Sequence, residues 1–156
     1  MLKFNEIQEA YDYVAFCSPG EAAAYVGKEQ GRVVLIPSEM AADDQEIQAA
    51  YREIEEGEWL QIPDKYDLGL GKELVFRFAA GRLSGPEQDK VERIFSHRGA
   101  YGNWKDFLCE RGLLQEWYDF SEQAEVEALK DWLDFNQVTY EDENGNVVTP
   151  SPKEEE

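Results

Sequence analysis

Residues 23–37, AAYVGKEQGRVVLIP, decide the fold class. Ala23–Gly27 and Arg32–Pro37 are short runs rich in Val, Ile and Tyr, with Lys28–Gly31 between them. β-Branched and aromatic side chains suit a pleated, half-buried surface. Gly31 suits the position after a tight turn, where φ must be positive. The stretch reads as a β-hairpin. Two strands alone are marginal in water, so helices must cover one face. The chain is therefore expected to be α+β: mostly helical, with an N-terminal β-hairpin or small antiparallel sheet packed on a helical bundle.

Working outward, Phe4, Ile7, Tyr11 and Val14 recur at three- and four-residue steps. That spacing predicts a helix over Phe4–Phe16, stopped by Ser18-Pro19-Gly20. After the hairpin, Ile47, Ala50, Tyr51 and Ile54 make the stripe of a helix over Ala41–Glu56, whose other face is almost wholly carboxylate. Asp43 or Asp44 can cap it, and Gly57 ends it. Glu58–Pro63 reads as a short third strand, confined by Pro63 to an edge or a strand end. Tyr66–Leu83 is a further helix with Leu70, Leu74 and Phe78 inward. Ser84 and Glu87 have capping-box spacing, so another helix starts there and carries Val91, Ile94 and Phe95. Arg98–Gly102 is a break or sharp corner. Trp104, Phe107 and Leu108 form the next inward face. A long amphipathic helix then runs from Leu113 or Leu114 through Trp117, Ala124, Leu129 and Leu133. Asn144-Gly145 favours a type I′ turn. Residues 137–149 thus read as a terminal hairpin or a frayed tail, residues 150–156 as a disordered acidic tail, and residues 1–136 as a single globular α+β domain.

The 156 residues are 42% hydrophobic and 13% aromatic, enough for a core despite the charge. No apolar run approaches the ~20 residues of a membrane span. Acids stand where a signal peptide has its apolar region, so the chain reads as cytoplasmic. Cys17 and Cys109 are far apart and are expected as reduced, partly buried thiols. The net charge of −19 is uneven. Residues 39–58 hold eight acids and one base, and residues 116–156 hold thirteen acids and two bases. Between them lies Arg98–Phe120, RGAYGNWKDFLCERGLLQEWYDF, a near-neutral aromatic stretch that reads as the packing centre.

The YVGKEQGRVVLIPS hairpin, the acidic helix, Ile62-Pro63, RGAYGNWKDFL, LLQEWYDF and LKDWLDF stand in an order that resembles uncharacterised protein family 0158, a group of bacterial cytosolic proteins. The resemblance covers residues 1–136. It is most specific at Arg98-Gly99-Ala100-Tyr101, Trp104-Lys105-Asp106 and Trp117-Tyr118. Members often carry Phe where Tyr101 and Trp104 stand, and the tail from Gln137 looks like an addition. The family has no established activity, cofactor or catalytic residues, so the resemblance implies an order of parts rather than a chemistry.

The residues themselves exclude several chemistries. One histidine, His97, and two cysteines without paired spacing do not make a zinc site. The acidic run YEDENGNV lacks the EF-hand order of ligands and glycine. Cys109 could be a nucleophile activated by His97, but helical spacing sets it beside Leu108 and Leu113 as a packed thiol. Gly69-Leu70-Gly71 lacks the third glycine of a dinucleotide fingerprint. No catalytic set, metal or cofactor is expected. One basic constellation remains: Lys72, Arg77, Arg82, Arg93, His97, Arg98 and Lys105, flanked by Tyr101 and Trp104. Arg98, Tyr101, Trp104 and Lys105 are the candidate anion site, at the mouth of a helix that starts near Gly102. The competing reading makes Arg98 a structural joint, tied to carbonyls or to a carboxylate.

The expected function is a non-enzymatic interaction module. Its acidic helix faces, Glu46, Glu53, Glu55 and Glu56, then Glu122, Glu125, Asp131 and Asp134, would meet a basic protein partner and stand in for nucleic-acid phosphates. The alternative is a small ligand- or phosphate-binding domain or enzyme at the Arg98–Trp104 corner. Direct binding of nucleic acid or of an anionic membrane is opposed by the charge of −19.

Overall fold

The structure is a computed structural model, and it describes residues 1–152 apart from Pro19 and Ala41. Of the tail expected to be disordered, residues 153–156 lie outside the described residues, as does the helix-stopping Pro19. The fold is α+β. Among the described residues it has six helices, a three-stranded antiparallel sheet and a two-stranded one. None of these helices is long and apolar enough to cross a membrane. Backbone packing divides the chain into two compact units: Met1–Asp64 with the chain from Leu129 onward, and Lys65–Ala128.

In the first unit, α1 (Phe4–Phe16) buries Phe4, Ile7, Ala10 and Tyr11, the face that its spacing predicts. The hairpin forms as β1 (Ala23–Gly27) and β2 (Arg32–Ile36), with Tyr25 opposite Val34 and Gly27 opposite Arg32. Gly31 takes the expected positive φ, 68°. The third strand shortens to β3 (Trp59–Gln61), which pairs antiparallel with β1 and leaves β1 central. α1 packs on β1 and β2. α2 (Asp44–Glu55) is capped by the Asp43 carboxylate, which accepts from the Glu46 N–H at 2.9 Å. Its apolar stripe is not core as expected. No described α2 residue is buried, Tyr51 is exposed, and the helix packs chiefly on β2.

The chain from Val138 is no loose end in this unit. Val138 and Tyr140 are buried, and β4 (Tyr140–Glu141) pairs with β5 (Val147–Val148). Glu141 also bridges Lys3 in parallel, its N–H donating to the Leu2 carbonyl at 2.8 Å. The turn is not the expected type I′. That type needs positive φ at both central residues, and only Gly145 has it, at 81°. Instead Asp142 organises the loop. Its carboxylate accepts from the N–H groups of Asn144 and Asn146, both at 2.9 Å, and its carbonyl from the N–H of Gly145 at 3.1 Å.

The second unit is helical. α3 spans Lys72–Arg82, six residues shorter at its start than predicted. Gly69 adopts φ 69°, and the Leu70 N–H returns to the Lys65 carbonyl, so Tyr66–Leu70 form turns instead. α4 (Gly85–Phe95) starts with the predicted capping box, Ser84 and Glu87 bonding reciprocally. α5 spans Ala100–Glu110 and α6 Leu114–Phe135, the last turns of α6 from Leu129 belonging to the first unit.

Aromatic rings dominate the second core. Phe78 of α3 meets Trp104 of α5 at 6.0 Å and Trp117 and Phe120 of α6 at 5.4 Å each, all edge-on. Trp104 meets Trp117 edge-on at 5.6 Å and stacks on Phe107 at 5.9 Å. Edge-to-face geometry sets positive ring edges against negative faces and adds about 0.5–1.5 kcal/mol per pair beyond area burial. Two substitutions test this frame by urea unfolding. Phe78→Ala is expected to cost about 3–5 kcal/mol, as for other buried aromatics cut to a methyl. Gly102→Ala should stabilise by about 0.4–1 kcal/mol, because Gly102 sits inside α5 and a Cβ there meets nothing within 4 Å. A mild Phe78→Ala or a harmful Gly102→Ala would contradict the packing.

Candidate functional site

The corner between α4 and α5 occupies residues 96–99. α5 opens at Ala100, not at Gly102 or Asn103, with left-handed Gly99 as its N-cap and no side-chain cap. Both ends of the pair are anchored by Glu87. Its Oε1 accepts from the Ser84 N–H at 3.2 Å and the Ser84 hydroxyl at 3.1 Å, and its Oε2 from Arg111 Nε at 2.7 Å. Arg111, just past α5, also donates to the Phe107 carbonyl at 3.2 Å and lies 3.6 Å from the centre of the Phe107 ring. The hydrogen bond from Arg111, then those from Ser84, hold the Glu87 carboxyl below its ordinary pKa.

The four residues expected to form an anion site do not converge. Trp104 is 0% exposed and belongs to the aromatic core, so its indole has no edge to offer a ligand. Its Nε1 has no hydrogen-bond partner. Arg98 is exposed and forms no ion pair among the described residues, so it is not the carboxylate-tied joint either. Tyr101 is 43% exposed, sits edge-on to Phe95 at 5.2 Å, and has Lys65 Nζ 5.7 Å from its ring. Burial, then the nearby Tyr66, pushes its phenol above the ordinary pKa. Lys105 lies 5.9 Å over the Tyr118 ring. The wider basic constellation also separates. Arg82 pairs with Glu116 at 3.3 Å and lies over Phe78 and Phe120, and Arg77 faces Phe120.

A different cationic group does come together. Lys90, Arg93, Ile94 and His97 line one open cleft with Asn103 of α5, about 560 Å³ in volume. The sequence reading counted Arg93 and His97 among the bases but passed over Lys90 and Asn103. The signal was present: 90, 93, 94 and 97 follow the spacing of one helix face.

The acidic residues stand as follows. Glu46, Glu55, Glu56, Glu122 and Asp131 are exposed and make no ion pair among the described residues. Glu53 pairs with Arg32. Glu125 is half-buried and has a partner of its own. Asp134 is half-buried and accepts from the Ser151 N–H at 2.6 Å. Among the described residues no group of three or more His, Cys, Asp or Glu is arranged to hold a metal ion. Cys17 and Cys109 are both free, and Cys109 is exposed on the outer side of α5, not packed beside Leu108 as expected.

This order of elements defines an α+β protein of a recognised but unassigned type. The chain belongs to uncharacterised protein family UPF0158, which it matches over residues 4–153. The match runs through β4 and β5, so the segment from Gln137 is part of the family's shared chain and not an addition. No curated protein and no solved structure matches the chain.

The Glu87 contact has a defined pH dependence. A carboxyl held below its ordinary pKa stabilises the fold above the unfolded value, about 4.3 for Glu, and loses that stabilisation as pH falls through the folded value. Glu87→Gln should therefore lower the thermal midpoint near neutral pH, and the deficit should shrink as wild type and variant are compared below about pH 4. A deficit unchanged by acid would show that the ionic contact contributes nothing.

Proposed function

We propose that the chain is a non-enzymatic interaction module that presents carboxylate-rich helix surface to a basic protein partner in the bacterial cytoplasm. The observation that carries the reading is the partition of charge. The first unit holds 22 of the 34 acids and 6 of the 15 bases, a net −16 of the total −19. Among the described residues, three of its six bases are engaged internally: Arg32 pairs with Glu53, Lys130 with Glu143 at 2.9 Å, and Lys28 donates to the Asn136 carbonyl. Arg52 has the spacing to reach Glu55 and Glu56, yet no ion pair forms. α2 therefore carries Glu46, Glu55 and Glu56 as solvated charge on a helix that buries no residue. Asp131, also in this unit, is exposed on the last turns of α6, while Glu122 is an exposed carboxylate of the second unit. A surface of this sign raises the encounter rate with cationic partners and rejects phosphate polymers.

The reading is tested by capture from bacterial lysate with the wild-type chain and with the triple variant Glu46→Gln, Glu55→Gln, Glu56→Gln. A basic protein should be retained at low salt and released as the Debye length shrinks from about 30 Å to about 8 Å. The purified pair should bind at least about tenfold more weakly, or about 1.4 kcal/mol, when the chain carries the triple change. Capture that ignores both salt and the triple variant would remove the proposal.

A further inference from the structure

The second unit has a different electrostatic character, with 12 acids and 9 bases. Its cations are also not distributed evenly. Lys90, Arg93 and His97 lie at helical steps of three and four on one face of α4 and the turn after it, and with Ile94 and Asn103 they line the cleft of about 560 Å³. All three bases are exposed, and none forms an ion pair among the described residues, although Lys90 Nζ lies 5.7 Å from the centre of the Phe107 ring. Like charges three or four residues apart on a helix repel one another. A chain with 34 acids could have folded a carboxylate onto them, as it does for Arg32, Arg82, Arg111 and Lys130. The helix dipole does not account for the arrangement either. It favours cations only in the last turn, which includes Arg93 but begins after Lys90 and ends before His97.

We propose that this cleft is a binding site for the phosphate group of a small phosphate ester. A tetrahedral dianion offers several acceptor oxygens at once, which suits a planar guanidinium, an ammonium, an imidazole N–H and a side-chain amide lining one cleft. Ile94 gives the cleft an apolar floor for the ester's carbon portion. The ligand is small because the field of the whole chain, −19, disfavours a long polyanion. The site is independent of the acidic surface assigned to protein binding, and it uses none of the residues of that surface.

His97 is the only histidine, so its imidazole proton signals identify themselves in a nuclear magnetic resonance spectrum. The experiment titrates His97 with pH in chloride and in inorganic phosphate at matched ionic strength. A phosphate seated beside the ring favours the imidazolium, so the His97 pKa should rise by roughly half a pH unit or more in phosphate. Arg93→Gln should abolish that rise. Lys72→Gln, an equal charge change on α3 away from the cleft, should leave it intact. Both side chains are exposed, so both variants keep the fold. Identical titrations in the two salts would overturn the proposal. So would a rise that survives Arg93→Gln, or one lost equally in Lys72→Gln, since either would assign the effect to bulk charge.

Discussion

One carboxylate, Glu87, fixes the geometry of the second unit. It closes the capping box at the start of α4 and takes the Arg111 guanidinium from the end of α5. Exposed ion pairs contribute little energy on their own. This one matters because charge-assisted bonds to a single group have strict direction. With the start of α4 and the end of α5 tied to one point, the two helices have a set register. The corner at residues 96–99 is then held at both sides without an anchor of its own, and Arg98 is left to solvent. The same register brings Asn103 of α5 to the face on which helical spacing sets Lys90, Arg93 and His97.

Inside that frame, a cluster of aromatic rings packs among aliphatic side chains such as Leu74, Val75, Val91 and Leu108. Phe78 contacts rings from two other helices, and Trp104 is so enclosed that its N–H finds no partner. A buried donor left unpaired costs about 1–3 kcal/mol. A phenylalanine at that position would fill most of the space without the donor.

Elements whose signals are local and redundant were legible from residues alone. α1 needed only its apolar spacing, and α4 announced itself through Ser84, Pro86 and Glu87. The hairpin β1–β2 was set by two β-branched runs and Gly31. What failed were inferences that need tertiary information. The stripe of α2 has the right period, but period does not say how much surface waits to be covered. Cys109 sits beside Leu108 in sequence, yet neighbouring helical residues point about 100° apart, and only Leu108 turns inward. Trp104 was grouped with Arg98 and Lys105 because they are close in sequence, whereas the core claimed the indole and solvent the cations. The Asn144-Gly145 pair lost its preferred turn to Asp142, whose carboxylate takes two N–H groups and whose backbone carbonyl takes a third. The cationic cleft was half-legible, since its helical spacing could be read but its α5 wall could not.

The pairing of Glu141 with Lys3 also constrains how the chain folds. The second unit, Lys65–Ala128, is one unbroken stretch and has all its partners once it is synthesised. The first unit is interrupted: its sheet is made early, while Leu129, Leu133, Val138 and Tyr140 arrive only after the 64 residues between have been added. Closing so long a loop costs entropy that must be met before the late contacts repay it. Synthesis from the N-terminus therefore makes the sheet first and completes its core last. In the interval the first unit is incomplete, and like charge between chains opposes association of apolar surface that is still uncovered.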